Sequence, residues 1–155
     1  MSRTAILSSA LALLTGGALW GARARPIYNE HADARQLIRA AVARASRNGT
    51  NVVLVFGANW CPDCHALDAQ MRKPELARLI ARDFIIVNID VGRFDKNVRL
   101  AAKYGVPLRR GIPALAVLNS HGQLLYAMSQ GQFANARTLS YPAFLQFFCK
   151  WAPKR

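Results

Sequence analysis

Residues 52–71 read VVLVFGANWCPDCHALDAQM: a β-branched apolar run that passes through GANW into two cysteines, Cys61 and Cys64. The run, bounded by turn residues, predicts a short buried strand. Pro62 suits the first position of a helix. A strand feeding straight into a helix places Cys61 at the helix N-terminus, where unpaired N–H groups and the positive dipole end favour a thiolate. Cys64 lies almost one turn on, close enough to attack a mixed disulfide on Cys61. Leu67 and Met71 follow it at i+3 and i+7, so its side of the helix is expected to face the core. Cys61 is therefore expected to be the exposed nucleophile and Cys64 the protected resolving thiol.

Other uses of two cysteines at this spacing fit less well. Zinc needs two further ligands, and Cys149, His31, His65 and His121 show no paired ligand spacing. A structural disulfide closing so small a loop would stabilise little. Three cysteines are too few for a disulfide scaffold.

Outward from the pair, HADARQLIRAAVARASRNG carries Leu37, Ile38, Ala41, Val42 and Ala45 at helical spacing, with Asn48-Gly49 as its stop. The helix after Cys61 is predicted to run to about Arg72, and Pro74 to restart it through ELARLIAR. FIIVNID predicts a second buried strand, and KNVRLAAKYG a short helix closed by Gly105. PALAVLN and QLLYAMS predict two strands joined by SHG, and YPAFLQFFCKWA a closing amphipathic helix. The first two strands need a crossover and so are parallel, while the last two form an antiparallel hairpin. The fold class is α/β, a mixed central sheet between helices. Cys149, among apolar neighbours in FLQFFCKW, is expected to be a buried free thiol packing the last helix.

The chain has 155 residues, 52% of them hydrophobic, enough for one domain with a core. Residues 1–24 are expected to be a cleaved signal peptide: Arg3 supplies a positive start, AILSSALALLTGGALW an apolar stretch, and Ala22 to Ala24 a peptidase site. That leaves a domain at 25–155, exported, most simply to a bacterial periplasm. The net charge of +13 falls to +11 when Arg3 and Arg23 are removed. The basic residues are scattered, with no aromatic-interleaved stripe, so no nucleic-acid partner is expected.

The order of elements, WCPDC after a buried strand, and GIPA at Gly111 to Ala114 together resemble the thioredoxin superfamily over about residues 33–151. The resemblance implies a thioredoxin fold and a thiol–disulfide oxidoreductase, with Cys61 attacking a substrate disulfide and Cys64 resolving it. It implies that Trp60 flanks the site, that Pro113 is a cis-proline facing the cysteines, and that the Ile112 backbone pairs with an extended substrate strand. Gly131 would match the family's glycine on the same rim. No cofactor beyond the Cys61–Cys64 pair is implied, and the partners would be protein disulfides and a membrane or periplasmic thiol electron donor.

The departures bear on direction. Thioredoxins proper carry a buried acid and a lysine behind the pair; the aligned residues here are Val55 and Ile86. His65 is read either as a solvated residue near Asp68 or as a proton carrier. Pro62 and Asp63, between the cysteines, tune the redox poise. A negative Asp63 beside Cys61 disfavours a second anion there, which makes the disulfide harder to reduce. Ile112 before the proline also resembles reducing members, so a reductase or electron relay is expected. Arg109 and Arg110 would lie beside the substrate groove, and FANARTLS lengthens the link to the last helix. The rival readings are a disulfide-donating oxidant of the DsbA type, a copper- or zinc-handling binding protein, and a scaffold whose redox chemistry is incidental.

Overall fold

The computed structural model describes residues 26–154; the expected signal at 1–24 lies outside them. Helix α1 (Ala34–Asn48) starts where the Asp33 carboxylate accepts from the N–H groups of Arg35 and Gln36, and it stops where Gly49 turns left-handed at φ 66°. Strand β1 (Asn51–Gly57) follows, buried along its whole length. Helix α2 (Pro62–Met71) and helix α3 (Pro74–Asp83) each begin on a proline, whose missing N–H costs nothing in a first turn. Strand β2 (Phe84–Asp90), helix α4 (Val98–Lys103), the hairpin of β3 (Ala114–Leu118) and β4 (Leu124–Ala127), and helix α5 (Tyr141–Trp151) complete the chain. Two 3-10 turns, Leu108–Arg110 and Ala136–Thr138, lie in stretches to which the sequence assigned no element.

The sheet order is β2-β1-β3-β4, with β1 parallel to β2 and antiparallel to β3. β1 is thus a central strand, and its alternate residues enter two cores. Val52, Leu54 and Phe56 pack with Ile38, Ala41, Ala45, Leu100 and Ala101 under α1 and α4. Val53 and Val55 pack with Leu67, Leu76, Phe144 and Phe148 under α2, α3 and α5. This is the expected mixed sheet with helices on both faces, a thioredoxin fold.

Two side-chain placements differ from expectation. Leu37 lies off the buried stripe of α1, at 39% exposed, because Ile38, Ala41 and Ala45 already define the face that meets the sheet. Cys149 is exposed, not buried. Helix α5 buries Phe144 and Phe148, one turn apart, and the residue after Phe148 is rotated about 100° around the helix toward solvent.

Candidate functional site

Because β1 is central, the turn at its C-terminal end opens at the edge of both cores, and Cys61 sits there as the N-cap of α2. Its sulfur accepts a hydrogen bond from the N–H of Cys64 at 3.1 Å, so the pair is held against the free amides of the first turn. The two sulfurs are joined as a disulfide, with their Cα atoms 5.2 Å apart. Cys61 is 3% exposed and Cys64 1%. The order is the expected one, but Cys61 is no open nucleophile in this oxidised state. The reason is the loop before β3: the carbonyl oxygen of Ile112 lies 3.6 Å from the Cys61 sulfur. The Ile112–Pro113 peptide bond is cis, and both residues are buried beside the pair. Gly131 packs against this loop from the other side; a Cβ there would lie 2.5 Å from the carbonyl oxygen of Arg110. Arg109 and Arg110 are exposed in the 3-10 turn that leads into the loop.

Trp60 stands beside the pair at 43% exposed. Its ring is fixed from the loop after β2: the indole N–H donates to the carbonyl of Gly92 at 2.8 Å, Phe94 meets it edge-on at 5.9 Å, and the Arg93 guanidinium lies 5.1 Å from its centre. Phe94 holds a left-handed backbone at φ 67°, rare for a bulky residue. A rigid, partly exposed aromatic rim results.

Asp63 departs from the sequence reading. It is not a lone anion beside Cys61, because its Oδ1 accepts from the backbone N–H of Arg137 at 2.9 Å and from the Arg137 guanidinium at 3.3 Å. The FANARTLS extension thus folds back onto the first turn of α2 and balances its charge. His65 is the exposed helix residue expected, but its ring partner is not Asp68. Its Nε2 lies 2.6 Å from the carbonyl oxygen of Asn59, while Asp68 pairs with Arg72 at 2.7 Å. His65 therefore braces the turn that carries Trp60 and Cys61.

Two residues that sequence reasoning missed complete the site. Asn59 holds the backbone of Tyr28 in both directions, accepting from its N–H and donating to its carbonyl, each at 2.9 Å. Tyr28 is thereby turned inward and is 2% exposed. Only the NW dipeptide before the first cysteine hinted at a turn here, and nothing in PIYNEH marked a residue of the site.

Among the described residues, no three His, Cys, Asp or Glu side chains converge as metal ligands.

A buried disulfide capping a helix at the end of the central strand of a mixed sheet, faced by a proline loop, defines a thioredoxin-fold thiol–disulfide oxidoreductase. The comparisons with known proteins agree. A family model described as thioredoxin-like matches residues 33–120, and the chain belongs to that family. It is similar to a solved structure described as a disulphide isomerase from Xylella fastidiosa Temecula1, at 45% identity and a TM-score of 0.77, covering 81% of this chain and 96% of that one. The reduced C-terminal domain of DsbD from Neisseria meningitidis shares the fold at 23% identity and a TM-score of 0.53, over 77% of this chain and 97% of that one. A curated protein of Oryza sativa subsp. japonica, named "Probable nucleoredoxin 3", is 25% identical over 114 residues, 61% of this chain. The match spans only 24% of that longer protein.

Proposed function

We propose that the protein works in the periplasm as a reductant of protein disulfides, with its Cys61–Cys64 pair returned to the dithiol by a membrane or periplasmic thiol donor. The observation that carries the reading is the placement of Cys61 as the N-cap of α2, its sulfur facing the Cys64 amide and the Ile112 carbonyl. An amide donor and the helix dipole both favour the thiolate needed for attack. In the forward step the Cys61 thiolate attacks a client disulfide, forming a Cys61–client bond and releasing one client sulfur as a thiolate. Cys64 then attacks Cys61, closing the internal disulfide and freeing the second client sulfur. Trp60 offers an apolar contact for the client, and Ile112 and Pro113 line the approach to Cys61.

Direction rests on Ile112 and on the likeness to the Xylella protein. Isomerisation starts with the same thiolate attack and needs a reduced pair at rest, so a disulfide-rearranging activity is the second reading. The Asp63 charge carries less weight than the sequence suggested, since Arg137 shares it. Export rests on the apolar N-terminal stretch of the sequence.

Insulin reduction and client trapping test the proposal together. Cys61→Ser should abolish reduction, and Cys64→Ser should accumulate mixed disulfides with exported proteins. Full activity of Cys61→Ser would refute it. If the reduced chain were inert and the oxidised chain drove disulfide formation in a reduced client, the oxidant reading would replace it. Stoichiometric, thiol-dependent copper or zinc at equilibrium would favour the metal-handling reading instead.

A further inference from the structure

The segment before α1 folds back over the rear of the cysteine pair. Besides the two bonds between Asn59 and the backbone of Tyr28, the Asn88 side chain donates to the carbonyl of Ile27 at 3.3 Å, and Asn59 also donates to Glu30 at 3.0 Å. These anchors drive the Tyr28 ring down onto Gly57, the last residue of β1. A Cβ on Gly57 would collide with the Tyr28 hydroxyl and lie 2.7 Å from the Cys64 sulfur. The phenol oxygen and the resolving sulfur therefore crowd the same point above the Gly57 Cα, and only a glycine leaves them room. Val55 and Ile86 bring no polar group to the pair.

We propose that the Tyr28 hydroxyl is the hydrogen-bond donor that stabilises the Cys64 thiolate. This inference deepens the thiol–disulfide exchange reading and rests on it. The charged groups around Tyr28 are Asp68 on α2, itself paired with Arg72, and Asp90 at the end of β2, paired with Lys96 at 3.3 Å. Glu30 and His65 both contact Asn59, Glu30 through the Asn59 side chain and His65 through its carbonyl. Burial, then Asp68, then Asp90 all hold the phenol above its ordinary pKa. It keeps its proton, and so serves as a donor to a neighbouring anion, not as a base. In the release step the Cys64 thiol loses its proton to water, and the thiolate attacks the Cys61 sulfur. The Cys61–Cys64 bond forms as the Cys61–client bond breaks. The client sulfur leaves with the electron pair and takes a proton from solvent. The protein is oxidised by two electrons, the client is reduced by two, and Tyr28 ends with its proton.

The test reads Cys64 directly, without a client. In the full chain carrying Cys61→Ser and Cys149→Ser, the 13Cβ shift of Cys64 is followed against pH, with and without Tyr28→Phe. Loss of a donor to a charged group should raise the Cys64 ionisation midpoint by about one pH unit. An unchanged or lowered midpoint in the folded variant overturns the proposal. Should Tyr28→Phe not fold, 3-fluorotyrosine placed at position 28 decides: a stronger donor should lower the midpoint, and no fall overturns the proposal. Since no reduction of a client is involved, failure here is distinct from failure of insulin reduction by the parent chain.

Discussion

Arg137 reaches across 74 residues of chain to bind Asp63 with two nitrogens, one from its backbone at 2.9 Å and one from its side chain at 3.3 Å. Asp63 stands between the two cysteines, so the extension before α5 contributes to the electrostatics of the pair. Removing the guanidinium with Arg137→Ala should leave more negative charge beside Cys61, raise the pH at which Cys61 becomes a thiolate by up to about one unit, and make the disulfide harder to reduce. Asp63→Asn should act in the opposite direction. The double variant should resemble Asp63→Asn alone, because the arginine acts through the carboxylate. Cys61 alkylation against pH, in a Cys149→Ser background, measures all three.

The aromatic rim should separate client handling from redox chemistry. Trp60 and Phe94 are held in edge contact and both are about half exposed. Trp60→Ala should lower kcat/KM for a protein disulfide while leaving Cys61 ionisation unchanged. Phe94→Asn should cost little stability, since Asn accepts the left-handed backbone at φ 67° more readily than Phe, yet it should also slow client reduction. Paired thermal melts and insulin assays distinguish the two effects.

Gly57 is the close-packing point of the site. Its neighbours are the Tyr28 ring at 2.6 Å and the Cys64 sulfur at 2.7 Å from a hypothetical Cβ, and neither can withdraw into solvent. Gly57→Ala should therefore destabilise the fold by about 2–3 kcal/mol, as overpacking does. Chemical denaturation of the oxidised variant reads this loss.

The burial of Tyr28 also has an alkaline consequence. Its phenol is held above the ordinary value of 10.0, chiefly by desolvation. The folded chain thus keeps a proton that the unfolded chain releases above pH 10.0. Stability from this source is complete below that pH and is lost as pH rises further. Tyr104 and Tyr126 are raised by burial as well and add to the slope. Tyr28→Phe should lose stability less steeply between about pH 10 and 12 than the parent chain, as denaturation midpoints at several pH values would show.

The fold and the reactive pair were legible because each rests on local pattern. NVVLVF before Cys61, the two helix-starting prolines Pro62 and Pro74, and the hairpin around SHG declare themselves within a few residues. One crossover makes β1 and β2 parallel, and one short turn makes β3 and β4 antiparallel. The β1–β3 pairing that makes β1 central joins strands far apart in sequence, Phe56 against Ala114, and was not legible. What escaped detection depends on distant backbone. Arg137 meets Asp63 through a 3-10 turn in a stretch without periodicity, and Tyr28 is turned inward by Asn59 and by the anchoring of Ile27 to Asn88, contacts that span 31 and 61 residues. Cys149 was misplaced for a different reason. Apolar neighbours in sequence do not share a helix face, and Phe144 and Phe148 had already fixed which face α5 buries.

The reduction potential of the Cys61–Cys64 pair, measured on the chain at equilibrium with glutathione and dithiothreitol buffers, tests the central claim most directly. A disulfide reductase fed by a dedicated donor should give a value near or below about −250 mV, toward the thioredoxin end of the range. A value above about −150 mV, toward the strong disulfide donors, would contradict the reducing direction.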